Sequence, residues 1–164
     1  MFYQDMRQVK TVGYCLMPNH IHWLFHIQDK KIDAIWVLRT FKSFIATQAI
    51  IYLKKREHME TEPLHTIFQN NTNIKSDSAR NLLNYFAECA KLAPGQNHRF
   101  WQRNSDLKFI PNYDMLRQKL DYIHYNPLQS HWELVTEAFS YPFSSCKYYD
   151  SGEDSQGLEI LNLL

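Results

Sequence analysis

No run of roughly 20 apolar residues is apparent in this sequence, and the first residues lack the apolar stretch of a secretion signal. The expectation is a cytoplasmic chain. Cysteine is scarce: Cys15, Cys89 and Cys146 are scattered, lack the close spacing of a zinc site, and as an odd count complete no disulfide framework. All three read as reduced packing residues. Charge of one sign is also missing, because 18 Lys+Arg against 17 Asp+Glu leave a formal net charge of +1. Any affinity for nucleic acid must therefore come from local clustering. There is no internal repeat. What is present is 45% hydrophobic and 15% aromatic residues in a chain of 164, ample for one compact core, together with eight histidines.

Residues 11–16 and 21–27 are apolar and aromatic runs separated by Met17, Pro18, Asn19 and His20. Proline followed by asparagine suits a tight turn, so the pattern predicts a β-hairpin. Alternation along the second strand sends His20, His22, Leu24 and His26 to one face and Ile21, Trp23, Phe25 and Ile27 to the other. The latter is expected to be the core wall. Over residues 32–55 apolar positions recur at close to a 3.6 period, predicting a long amphipathic helix. Residues 57–78 are polar and read as a loop or insertion, with one short helical turn at 64–68.

Residues 79–92 form a second helical pattern, closed by Pro94 and Gly95. A basic and aromatic stretch over 98–103 and a short strand over 107–110 follow. Asn112 is placed to cap a helix running to about Asn126, with Leu116, Leu120 and Ile123 buried and Pro127 ending it. The expected organisation is one domain over residues 1–150, then a tail over 151–164 that frays before a last apolar segment.

Two histidines at i and i+2 on a strand project from one face, roughly 6 to 7 Å apart, within reach of a single divalent ion. The same spacing also suits two half-exposed strand histidines. Tyr122 and Asn126 lie four apart near a helix end, on one face and about a turn from each other. An amide oxygen suits Mg2+ or Mn2+, and two imidazoles shift the preference towards Mn2+. Tyr125 is a rival for any role given to Tyr122, but i to i+4 alignment with Asn126 favours Tyr122. His26 and His124 read as outside the site, one too far along the strand and one pointing away.

Residues 13–24 (GYCLMPNHIHWL), 122–128 (YIHYNPL) and 141–145 (YPFSS) together resemble the REP-associated tyrosine transposase family. The resemblance spans about residues 11–145. It implies that His20 and His22 are the HUH histidine pair, that Asn126 is the third metal ligand, and that Tyr122 is the nucleophile. It further implies a ferredoxin-like α+β fold, an antiparallel sheet with helices packed on it, acting on single-stranded or hairpin DNA beside repeated palindromes. The family's initial strand and helix look shortened, so an open sheet edge is expected to be covered by residues 1–10, the Phe100 region or a second subunit in a homodimer.

For DNA contact the candidates are Arg39 and Lys42 on the long helix, and Arg99, Trp101 and Arg103, where cations alternate with an aromatic face that can stack on an unpaired base. A solvated helix face and a half-buried strand would give the same pattern. Two other functions stay open on the residues alone: a DNA-hairpin binding module without turnover, and a metal-dependent hydrolase using water as nucleophile.

Overall fold

The computed structural model describes residues 7–57, 76–91, 95–102 and 105–164. Arg103, Pro94 and the expected turn at 64–68 lie outside the described residues. Among those described, the fold is α+β, with β1 (Val9–Leu16), β2 (Ile21–Ile27), α1 (Ala34–Glu57), α2 (Ser76–Ala90), α3 (Tyr113–Tyr125) and α4 (Cys146–Ser151). Single 3₁₀ turns occupy Asn126–Leu128 and Ala138–Ser140. Two compact units are formed, Met1–Val37 with Leu107–Leu164, and Leu38–Asp106.

In the first unit β1 and β2 make an antiparallel hairpin in which Cys15 faces His22 and Leu16 faces Ile21. The Met17 N–H donates to the His20 carbonyl at 2.9 Å and closes the turn. The outer edge of β1 is covered by segments that follow α3. Leu16 N–H donates to Phe143 O at 2.8 Å, Ser145 N–H to Tyr14 O at 3.0 Å, and Leu161 N–H to Thr11 O at 2.8 Å. Residues 143–145 and 160–161 thus supply the edge cover that the sequence left to other segments. Ile160 and Leu161 of the last apolar segment lie against Thr11 of the sheet, and the Tyr14 hydroxyl donates to Asp154 at 2.8 Å.

Val12, Cys15 and Met17 from the hairpin, Leu116, Leu120 and Ile123 from α3, and Tyr141 form the core of this unit. The three α3 residues are those the sequence pattern predicts. Each full burial of such a side chain is favourable by about 1.5–3 kcal/mol. The expected core wall of β2 is corrected, because Leu24, on the histidine-bearing face, packs against this core, while Trp23 and Phe25 stack on each other at 4.5 Å. The reason lies in the register: Cys15 is fully buried and is the cross-strand neighbour of His22, so the histidines share the core-facing side.

Gly13 lets α3 approach. A Cβ there would stand 2.5 Å from Leu120 Cδ2, so a side chain at residue 13 would have to displace the buried end of Leu120. At the helix start the Asn112 side-chain oxygen accepts from Met115 N–H at 2.9 Å, the predicted cap.

The expected strand over 107–110 is absent. Ile110 packs against the core, but Phe109 is 87% exposed and the segment pairs with no strand among the described residues.

In the second unit Leu53 of α1 packs with Ala79 and Leu83 of α2, joined by Ile50, Leu82 and Phe86. The amphipathic expectation for α1 is corrected, since Ile35, Phe44 and Ile51 are all exposed while Val37 and Leu53 are buried. The helix is apolar on more than one face. By length and composition alone it is long and apolar enough to cross a bilayer, a run that reading residue by residue missed because Arg39 and Lys42 interrupt it.

Candidate active site

Strand β2 and the end of α3 meet through side chains in the first unit. His20 leaves the hairpin turn and His22 follows two residues on, and their Nε2 atoms are 3.0 Å apart. The Asn126 carboxamide nitrogen lies 2.9 Å from the same His22 Nε2. The Tyr122 ring stands edge-on to the His22 ring, centroid to centroid 5.5 Å. Leu116, Leu120 and Ile123 hold α3 against the hairpin, so the flank of its C-terminal end, beside that apolar stripe, brings Tyr122 and Asn126 to the imidazoles.

Hydrogen bonding fixes much of the chemistry of this group. His20 Nδ1 is 2.6 Å from the Asn19 side-chain oxygen, which can only accept, so Nδ1 carries the proton and Nε2 keeps a lone pair. Burial lowers the pKa of His20 below its ordinary value, with a smaller contribution from His131. Burial also lowers that of His22, with His20 adding to it. Both imidazoles are thereby held neutral, the form that can donate electron pairs.

Asn126 is 3% exposed and its Oδ1 has no hydrogen-bond partner. A buried acceptor left unsatisfied costs about 1–3 kcal/mol. Turning the carboxamide end for end exchanges Oδ1 with Nδ2 at little steric cost and directs the oxygen at His22 Nε2, itself 3.0 Å from His20 Nε2. Two imidazole nitrogens and one amide oxygen then converge, a neutral donor set that fits Mn2+ or Mg2+. Among the described residues no three His, Cys, Asp or Glu side chains gather as a metal group; this trio relies on an amide.

Tyr122 is half-exposed and open to a substrate. Tyr125, the rival hydroxyl, is 60% exposed and makes no ring contact with either imidazole among the described residues. His26 is exposed and paired across the hairpin with Lys10, away from the group.

His124 is buried in a separate role. Its Nε2 is 2.9 Å from Ser145 Oγ, which accepts from Tyr14 N–H at 2.9 Å and donates to Tyr14 O at 3.2 Å. The hydroxyl's single donation goes to Tyr14, so His124 Nε2 is the donor to Ser145. Burial pushes the His124 pKa down to about 4, opposed by Asp121.

Reading the sequence missed two residues at the site. Asn19 orients His20, and Trp132 lies 5.8 Å from the His20 ring. Asn19 was visible beside the histidine pair, but nothing in the chain pattern links Trp132 to it.

Of the DNA-contact candidates, Lys42, Arg99 and Trp101 are near one another in the second unit. The Lys42 ammonium donates to Ser105 Oγ at 2.8 Å and sits 5.6 Å over the Trp101 ring. The Trp101 indole N–H donates to Lys42 O at 2.7 Å. Burial lowers the Lys42 pKa and the Arg99 charge adds to the effect. Arg39, one turn earlier on α1, is exposed. Compared with protein-family models, curated proteins and solved structures, the chain matches none of them.

Proposed function

We propose that the protein is a metal-dependent DNA strand transferase of the HUH, REP-associated tyrosine transposase type, built on a ferredoxin-like fold, that nicks and rejoins single-stranded DNA beside hairpins. The observation that carries this reading is the meeting of a strand-borne imidazole pair with a carboxamide and a phenol from a helix about a hundred residues later in the chain. Neutral His20, neutral His22 and the Asn126 amide oxygen would hold Mg2+ or Mn2+. When bound, the ion supplies undiminished positive charge to the non-bridging oxygens of the scissile phosphate.

Tyr122 is the nucleophile. Its Oη forms a bond to phosphorus as the bond from phosphorus to the 3′-oxygen breaks; the phenolic proton passes to water and the departing 3′-oxygen takes one up. The products are a 5′-phosphotyrosine and a free 3′-hydroxyl. Because an ester has replaced an ester, a second 3′-hydroxyl can attack the phosphotyrosine, re-forming a phosphodiester and returning the proton to Tyr122 without ATP. Asn19 keeps His20 in the tautomer that presents Nε2, and the Trp132 ring lies against that imidazole, 5.8 Å between centroids.

Arg39, Lys42, Arg99, Trp101 and Arg103 would contact the strand, cations on phosphates and the indole against a base. A homodimer is compatible with this reading. The test is covalent capture. Incubated with 5′-overhang hairpin DNA and Mn2+, the protein should give a denaturation-resistant adduct that is lost in Tyr122→Phe. Binding without any adduct would leave only a hairpin-binding module, and cleavage that persists in Tyr122→Phe would indicate a water nucleophile.

A further inference from the structure

One charged group beside the phenol is not absorbed by this scheme. Lys119 stands one helical turn before Tyr122 on α3, with its ammonium 5.9 Å from the centre of the Tyr122 ring. Its neighbours at three and four residues are Met115, Leu116, Tyr122 and Ile123. None is acidic, and Asp121, two residues on, projects from a different side of the helix. Among the described residues the lysines at 10, 91 and 147 each pair with a glutamate, whereas Lys119 pairs with no carboxylate. The residue is half-buried, and its ammonium lies on the Tyr122 side of the helix.

A cation held beside a nucleophile, with no anion of its own, is arranged for an anion that arrives with the substrate. We propose that Lys119 is a phosphate-binding residue of the Tyr122 site, its ammonium pairing with a non-bridging oxygen of the phosphate that Tyr122 attacks. This rests on the reading of Tyr122 as nucleophile. The lysine would fix the phosphate against the phenol from one side, while an ion held by His20 and His22 of the hairpin and by Asn126 at the helix end would address it from the other. As the phenolic oxygen bonds to phosphorus, the ammonium stays paired with the same oxygen and exchanges no proton.

The experiment compares adduct formation by the full chain, Lys119→Met and Lys119→Arg with Mn2+ and a 5′-overhang hairpin. The scissile linkage is either the natural phosphate or each stereoisomer of a neutral methylphosphonate. On phosphate, Lys119→Met is expected to slow adduct formation about 10- to 100-fold, the size of a lost charge-assisted hydrogen bond, and Lys119→Arg to recover most of it. On the methylphosphonate lacking the paired oxygen, the full chain and Lys119→Met should differ by less than about threefold. A Lys119→Met rate equal to the full chain on phosphate overturns the proposal while leaving Tyr122 its role. So does an equal loss on phosphate and on both methylphosphonates, since that is the signature of a disturbed helix. If the full chain forms no adduct on phosphate, the nucleophile reading fails first and this inference falls with it.

Discussion

The Asn126 carboxamide lies 2.9 Å from His22 Nε2 across 104 residues of sequence, and it does so with its own oxygen buried and unpartnered. A buried acceptor without a donor is a cost in folding that is relieved when an electron-deficient partner arrives. Asn126→Ala removes that cost together with the third donor. The stability of the metal-free protein should change by no more than about 1 kcal/mol, the relieved desolvation offsetting the lost packing. The rise in Tm on adding Mn2+, measured against an EDTA control, should shrink or vanish. A full Mn2+ shift in Asn126→Ala would remove the carboxamide from the donor set.

Gly13 and Leu120 compete for one volume. Gly13→Ala should destabilise the protein by about 1–3 kcal/mol through overpacking, and Leu120→Ala by about 2–5 kcal/mol through the cavity it leaves. The double variant should be less destabilised than the two losses added, because the new methyl enters the emptied space. Urea unfolding of the four proteins gives the coupling directly, and simple additivity would show that α3 does not depend on the bare residue 13.

The fold should weaken in mild acid. His124 has an ordinary pKa of 6.5 that burial pushes down to about 4 in the folded chain. As pH falls through 6.5 the unfolded chain takes up a proton first, so stability is full above that pH. It is lost progressively down to about pH 4, by up to about 3 kcal/mol from this group. His20 and His22 are shifted in the same direction and act with the same sign. Subtracting the profile of His124→Gln, recorded in EDTA, isolates the His124 share. A difference that stays flat from pH 7 to 4 contradicts the assigned buried, neutral state.

Arg39 and Lys42 should separate in DNA binding. Arg39 is exposed on α1, so Arg39→Ala should lower single-strand affinity and reduce the slope of log K against log salt by about 0.7. The Lys42 ammonium is already bound to Ser105 and lies over Trp101. Lys42→Ala should accordingly also lower the Tm, by releasing the segment that carries Trp101. Fluorescence anisotropy at several salt concentrations, with thermal unfolding alongside, reads both effects. An unchanged slope in Arg39→Ala would exclude that residue as a phosphate contact.

The hairpin and α3 were legible because their patterns are local. A proline and asparagine turn between two apolar runs, and an asparagine cap ahead of buried residues at helical spacing, need no knowledge of the rest of the chain. The inner face of β2 was not legible in that way. Both of its faces carry large apolar or aromatic groups, and the choice was made by Cys15 across the ladder and Leu120 above it. The strand expected at 107–110 has suitable residues but no paired edge, since residues 143–145 and 160–161 cover β1. Trp132 beside His20 and Ser145 beneath His124 are tertiary facts with no local signature.

In the proposed reaction Tyr122 attacks DNA beside an ion that His20, His22 and Asn126 would hold. Peptide mapping by mass spectrometry, after incubation with hairpin DNA and Mn2+ and nuclease trimming, tests it most directly. The prediction is a nucleotide mass on Tyr122 that disappears with EDTA and in the His22→Ala variant. A mass on Tyr125, or one on Tyr122 that persists without divalent metal, would contradict it.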